Sequence, residues 1–161
     1  MNPVIHQGCL LLGSNIRAEE NLRLAVRRLQ ERTDVLRVSS VWESTAVGSD
    51  GPDFLNLAML VFTPLEAAAL KTQVLRPLEA EMGRVRSADK NAPRPIDLDI
   101  IVFDGEPVDE LLWKYAYRAV PAAELLPDLR SNSGETLAQA SRRLAAGEPV
   151  YKREDLSYAF R

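Results

Sequence analysis

Asp97 and Asp99 stand two residues apart in the apolar stretch 96–103, which reads as a β-strand. Side chains alternate across a strand, so the two acids share one face and Ile96, Leu98 and Ile100 the other. Carboxylates one strand repeat apart repel each other unless a cation lies between them. Hard oxygen ligands of this kind suit Mg²⁺, which keeps several waters and takes its other ligands from phosphate. Just upstream, four bases (Arg84, Arg86, Lys90, Arg94) crowd residues 84–94 against a single acid, Asp89. Arginine grips phosphate or carboxylate with a planar, bidentate fork. A solvated loop or a hydrated strand end explains either cluster alone, and an isolated Asp-x-Asp is a weak motif. Together they match phosphoryl chemistry, which depends on positioning and charge neutralisation. A Gly-rich loop ending in Gly-Lys-Ser/Thr is absent, and so is a kinase-type catalytic loop.

The elements that must position these residues follow from periodicity. The apolar run ending at Leu12 reads as a strand closed by the turn trio Gly13-Ser14-Asn15. Leu22, Ala25, Val26 and Leu29 recur at helical spacing and predict a helix over 18–32. A second strand is expected over 35–42, a loop over 44–52, and a third strand over 54–62. The near-continuous apolar residues of the third put it centrally, covered on both faces. Thr63-Pro64-Leu65-Glu66 has the form of a capping box. Leu70, Val74, Leu78 and Met82 continue that helix to Gly83, with Pro77 expected to kink or divide it.

With the strand over 96–103 the order is βαββαβ. The expected fold is α+β: a ferredoxin-like sandwich with an antiparallel sheet, helices on one face, and a C-terminal helical extension. That extension should hold a short helix closing at 125–126 and another over 135–144. The polar tail from Pro149 is expected to be loosely held, and residues 1–161 to form one domain.

Composition bounds the partners. The chain has 161 residues, 46% hydrophobic and 27% charged, with a net charge of −3. No apolar run approaches the roughly 18–20 residues of a spanning helix, so no membrane partner is expected. Sixteen of the 20 bases are arginine, yet the mild acidity argues against nucleic acid. One cysteine makes no internal disulfide, consistent with a reducing cytoplasm.

Gly83-Arg84-Val85-Arg86 followed by Pro93-Arg94-Pro95-Ile96-Asp97-Leu98-Asp99-Ile100 resembles the core motif of the 6-hydroxymethyl-7,8-dihydropterin pyrophosphokinases of folate biosynthesis. Leu12-Gly13-Ser14-Asn15, Trp42-Glu43-Ser44-Thr45-Ala46-Val47-Gly48 and Pro52-Asp53-Phe54-Leu55-Asn56 agree with it in the same order. The resemblance implies ATP-dependent transfer of pyrophosphate to the hydroxymethyl group of the pterin, releasing AMP. It implies two Mg²⁺ on Asp97 and Asp99, with Arg84 and Arg94 on the phosphates and Arg86 and Glu79 assisting. Ile100 would line the adenine pocket. Ser44, Thr45, Val47, Phe54 and Asn56 would form the pterin slot, closed by Tyr117. The partners implied are small molecules only, acting on a monomer. A diverged homologue that binds pterin or nucleotide with weak or altered turnover is the alternative. A non-enzymatic RNA-binding module is set aside by the charge and by a missing aromatic strand pattern.

The chain departs from this pattern in several places. Asn91 replaces a tryptophan, and Ser44 and Thr45 replace a threonine and a proline. After Leu112 the segment is shortened and lacks a Pro-His pair and an arginine that contact ATP in the family. Lys114 or Arg118 could restore one charge. Each lost charge-assisted hydrogen bond costs roughly 1.5–3 kcal/mol, so ATP should bind at least about tenfold more weakly per contact than in a full-length member. Calorimetric titration of a non-hydrolysable ATP analogue with Mg²⁺ checks this, and tight binding that collapses in Lys114→Ala or Arg118→Ala would contradict it.

Overall fold

The computed structural model describes residues 3–45, 53–85 and 94–157. Its elements are β1 (His6–Ser14), α1 (Ala18–Arg32), β2 (Asp34–Val38), β3 (Trp42–Ser44) and β4 (Phe54–Thr63). Next come α2 (Ala67–Leu70), a π-helical turn (Lys71–Leu75), α3 (Arg76–Glu81), β5 (Asp97–Phe103) and β6 (Glu106–Pro107). A 3-10 turn (Glu110–Trp113), α4 (Ala116–Leu125), α5 (Leu137–Gly147), β7 (Val150–Lys152) and α6 (Glu154–Ser157) complete the chain. The strands form one antiparallel sheet in the order β6-β5-β1-β4-β3-β7, with β2 also pairing with β4. This is the expected α+β arrangement, with its second strand broken in two.

Alternation sorts the core into two halves. Leu10, Leu12, Leu57 and Met59 pack under α1 and the α2–α3 segment, against Leu22, Val26, Leu29, Leu70 and Leu78. Cys9, Leu11, Ala58 and Leu60 point to the other face, which α4 and α5 cover with Ala119, Ala122, Leu125 and Leu137. The C-terminal extension is therefore the second lid of the sheet. Helix α5 starts with a reciprocal capping box between Thr136 and Gln139. Among the described residues no helix is long and apolar enough to cross a membrane.

Three local expectations change. Gly13 and Ser14 continue β1 instead of turning it. The Thr63 capping box does not form, because Thr63 is paired with His6 as the last residue of β4. Its hydroxyl accepts from the Leu65 N–H at 3.1 Å, and the helix starts only at Ala67. The tail is not loose: β7 pairs with β3, and Arg153 contacts Glu19, Glu43 and Asp155. Pro77 distorts its helix without dividing it: the backbone stays right-handed helical through Leu70, Lys71, Leu75 and Arg76, with a π-helical turn just before the proline.

Glu124 ties α4 to the link between β2 and β3. Its carboxylate accepts from the Ser40 N–H at 3.0 Å and the Trp42 indole N–H at 2.6 Å. Glu124→Ala leaves both donors unpaired and should cost about 1–3 kcal/mol. Urea unfolding followed by tryptophan fluorescence checks this; a change below about 0.5 kcal/mol would contradict it.

Candidate active site

Gly13 on β1 lies opposite both Asn56 on β4 and Asp97 on β5, so three adjacent strands contribute one row. Leu11, one repeat back, lies opposite Ala58 and Asp99. Asp97 and Asp99 therefore share the face covered by α4, while Leu98 and Ile100 point to the other, as alternation requires. The approach to β5 is fastened to the end of β1. The Arg94 N–H donates to Asn15 Oδ1 at 2.6 Å, the Asn15 N–H to the Arg94 carbonyl at 3.1 Å, and Ser14 Oγ to the Pro95 carbonyl at 2.6 Å.

Guanidinium groups surround the two acids. Arg84 Nη1 donates to Asp97 Oδ1 at 2.5 Å and Arg94 Nη1 to Asp97 Oδ2 at 3.1 Å. Arg118 Nη1 lies 3.5 Å from Asp99 Oδ2 and donates to Asp109 Oδ2 at 2.6 Å. Gly83, at φ +90°, ends α3 in the left-handed turn that only glycine adopts freely. The Arg84 N–H then closes back on the Glu79 carbonyl at 3.0 Å. Glu79 itself is buried behind this cluster. It accepts from Arg84, from Arg76 at 2.6 Å and from the Leu98 N–H at 2.9 Å, so it holds Arg84 in place.

At the other end of the row, Asn56 is buried and donates to Ser44 Oγ at 2.9 Å. A Cβ on Gly13 would stand 3.0 Å from Asn56 Oδ1 and 3.8 Å from the Phe54 ring. Phe54 and Asn56 thus share a face, and only glycine leaves room between them and β1. Thr45 is exposed. Tyr117 packs against the α4-covered core, its hydroxyl accepting from Arg118 Nε at 3.2 Å. Ile100 lines a cavity of about 260 Å³ with Ala67, Lys71, Arg76, Asp99 and Val108. Val47, Arg86 and Asn91 lie outside the described residues. Sequence reasoning missed Asp109, which sits twelve residues beyond Asp97 with no motif around it, and the pairing of Arg118 with it.

The family model described as 7,8-dihydro-6-hydroxymethylpterin-pyrophosphokinase (HPPK) matches residues 9–127. The chain belongs to this family. A 2-amino-4-hydroxy-6-hydroxymethyldihydropteridine pyrophosphokinase of Pseudomonas aeruginosa is 32% identical over 149 residues, covering 84% of this chain and 90% of that protein. The protein of the same name from Synechocystis is 32% identical over 146 residues, 83% of this chain and 74% of its own length. A folate synthesis bifunctional protein of Arabidopsis thaliana is 31% identical over 128 residues, of which the chain covers 73% of itself but 26% of that protein. The Plasmodium falciparum HPPK-DHPS crystal structure with pteroate shares the HPPK fold at a TM-score of 0.70 and 10% identity. It aligns with 91% of this chain and 43% of its own. The chain thus spans about a quarter of the Arabidopsis protein and under half of the Plasmodium chain.

Electrostatics in this cluster set Asp99 apart. Burial first, and then the Asp97 charge, push its carboxyl up to about 6, against the pull of Arg118. Above about pH 6 Asp99 is ionised in the folded and the unfolded chain, and the folded chain bears the cost. Below about pH 4 both forms are protonated and the cost is gone. Stability attributable to Asp99 therefore falls as pH rises from about 4 to about 6. A rise of this size corresponds to at most about 3 kcal/mol, and partial solvent exposure reduces this to about 1–2 kcal/mol. With chelator present, Asp99→Asn should melt above the wild type at pH 7–8, the gap closing below about pH 4. Equal melting across that range would contradict the assignment.

Proposed function

We propose that this chain transfers pyrophosphate from ATP to the hydroxymethyl group of 6-hydroxymethyl-7,8-dihydropterin. The hydroxyl oxygen attacks the β-phosphorus in line, the bond between the α-phosphate and the β-phosphorus breaks, AMP leaves, and the hydroxyl proton passes to solvent. The observation that supports this most is the Asp97/Asp99 pair set among Arg84, Arg94 and Arg118, with Asp97 in the same sheet row as Asn56.

Two Mg²⁺ would be held by Asp97 and Asp99. The donor set fits: two hard carboxylates on one face, one of them pushed up in pKa by burial and by its neighbour's charge. Among the described residues no group of three or more acids, histidines or cysteines is gathered into a metal cage, so the remaining ligands would be phosphate oxygens and water. Bound there, the ions would neutralise phosphate charge. Arg84 and Arg94 would hold the phosphates, since a guanidinium has five donors, enough for a carboxylate and a phosphate oxygen together. Arg86 would assist, Glu79 would keep Arg84 aimed, and the cavity beside Ile100 would take the adenine. Phe54 would stack on the pterin, Asn56 would bond its polar edge, Ser44, Thr45 and Val47 would line the slot, and Tyr117 would wall it.

A diverged homologue with weak turnover is the second reading. One observation favours it: the single histidine, His6, is bound to Asp104 at the end of β1 away from Gly13, so none reaches the ATP site.

AMP release from ATP and hydroxymethyldihydropterin, with Mg²⁺ present and omitted, tests the proposal. Turnover should require Mg²⁺ and vanish in Asp97→Asn. Arg84→Ala and Arg94→Ala should lower kcat along with kcat/KM, with lysine rescuing only in part. No AMP from folded protein at saturating substrates would refute the proposal. Slow release with retained nucleotide binding would favour the second reading.

A further inference from the structure

Glu79 and Arg118 are the two buried charged residues among the described residues. Charged side chains go inside only when paired. Glu79 is accounted for by donors within the protein, among them Arg76, Arg84 and the Leu98 N–H. Arg118 is placed differently, between two acids at unequal distances. It is bonded to Asp109 at 2.6 Å and stands off Asp99 at 3.5 Å, beyond a good hydrogen bond. Nε bonds the Tyr117 hydroxyl at 3.2 Å and the guanidinium lies 5.3 Å from that ring's centre, which fixes its plane. Asp109 is fixed in turn, its Oδ1 accepting from the Leu111 N–H at 2.9 Å. The guanidinium is thus tethered on one side while its charge faces Asp99 from a distance.

We propose that the Arg118–Asp109 pair sets the affinity of the acid pair for divalent cations. Arg118 competes with the cation for Asp99, and Asp109 restrains that competition. This rests on the reading of Asp97 and Asp99 as metal ligands. A unit positive charge a few ångströms from a dication repels it strongly in a partly buried site, so removing it tightens binding on the order of tenfold. Removing Asp109 does the opposite, because the released guanidinium closes onto Asp99 and the local charge becomes more positive. The two members of one ion pair therefore have opposite effects. A pair serving only to hold α4 would weaken the site from either side.

Mn²⁺ titrated into the intact chain, with the free ion counted by electron paramagnetic resonance, measures this directly without turnover. Arg118→Met should bind Mn²⁺ about tenfold more tightly than wild type, and Asp109→Asn several-fold more weakly. The asparagine amide keeps an oxygen for the Leu111 N–H, so the Asp109→Asn variant retains its turn. The double variant has no guanidinium left to close onto Asp99, so it should bind more tightly than Asp109→Asn and no more tightly than Arg118→Met, and Arg118→Lys should stay near wild type. Single variants that shift affinity in the same direction, or leave it within about twofold, overturn the inference. Asp97→Asn separates the two layers: a wild type whose Mn²⁺ binding is unaffected by Asp97→Asn refutes the metal reading and this inference together.

Discussion

Glu79 is only 2% exposed, yet its carboxylate has donors from three directions: Arg76, Arg84 and the backbone of Leu98. A buried carboxylate that loses such partners costs several kcal/mol, so these contacts stand or fall together. One of them is the β5 backbone and another is the arginine that reaches Asp97. The same acid thus docks α3 on the sheet edge and aims the guanidinium at the start of that strand. The left-handed Gly83 makes this possible, since it turns the chain back within two residues of the helix end and brings Arg84 under Glu79.

The central strand does the rest. Because β1 pairs with both β4 and β5, a single residue on it, Gly13, sets Asn56 and Asp97 in one row. Glycine is needed there for space: the Asn56 amide oxygen occupies the volume a methyl group would take. The buried Asn56–Ser44 pair on one side of β1 and an acid on the other are therefore kept in register by backbone pairing, which is stiffer than any loop. The Asn15–Arg94 and Ser14–Pro95 bonds extend that register past the end of the sheet.

Much of this is legible in the sequence wherever the determining forces are local. The shared face of Asp97 and Asp99 follows from the two-residue repeat, α1 from its apolar spacing, and the distortion before Pro77 from the missing N–H. The Thr63-Pro64-Leu65-Glu66 motif misleads because sheet pairing with His6 outweighs a cap bond of about 1 kcal/mol. Strand β7 is hidden because three residues carry little pattern. It forms through pairing with β3 and through Arg153, which gathers acids as distant as Glu19. Asp109 and its pairing with Arg118 are hidden for the same reason, since nothing in their neighbours' identities says that α4 will lie over Asp99.

That placement links stability to chemistry. Helix α4 buries Ala119, Ala122 and Leu125 against Cys9, Leu11 and Ala58, and the same helix delivers Arg118, bonded to the Tyr117 hydroxyl, to Asp99. The apolar contacts are non-directional and fix only that the helix covers this face. Its rotation and register are set by directional partners at its two ends: Arg118 on Asp109 near the start, Glu124 on Ser40 and Trp42 near the finish. Trp42 lies opposite Asn56 in the next strand, so the second of these contacts reaches the same row that Gly13 and Asp97 occupy. The helix that closes the core is thereby held, at one end, by the charge balance of the acids and, at the other, by the strand that pairs with Asn56. A rigid shift of α4 moves both together, which is how a lid built from hydrophobic packing can keep two separate halves of one site aligned.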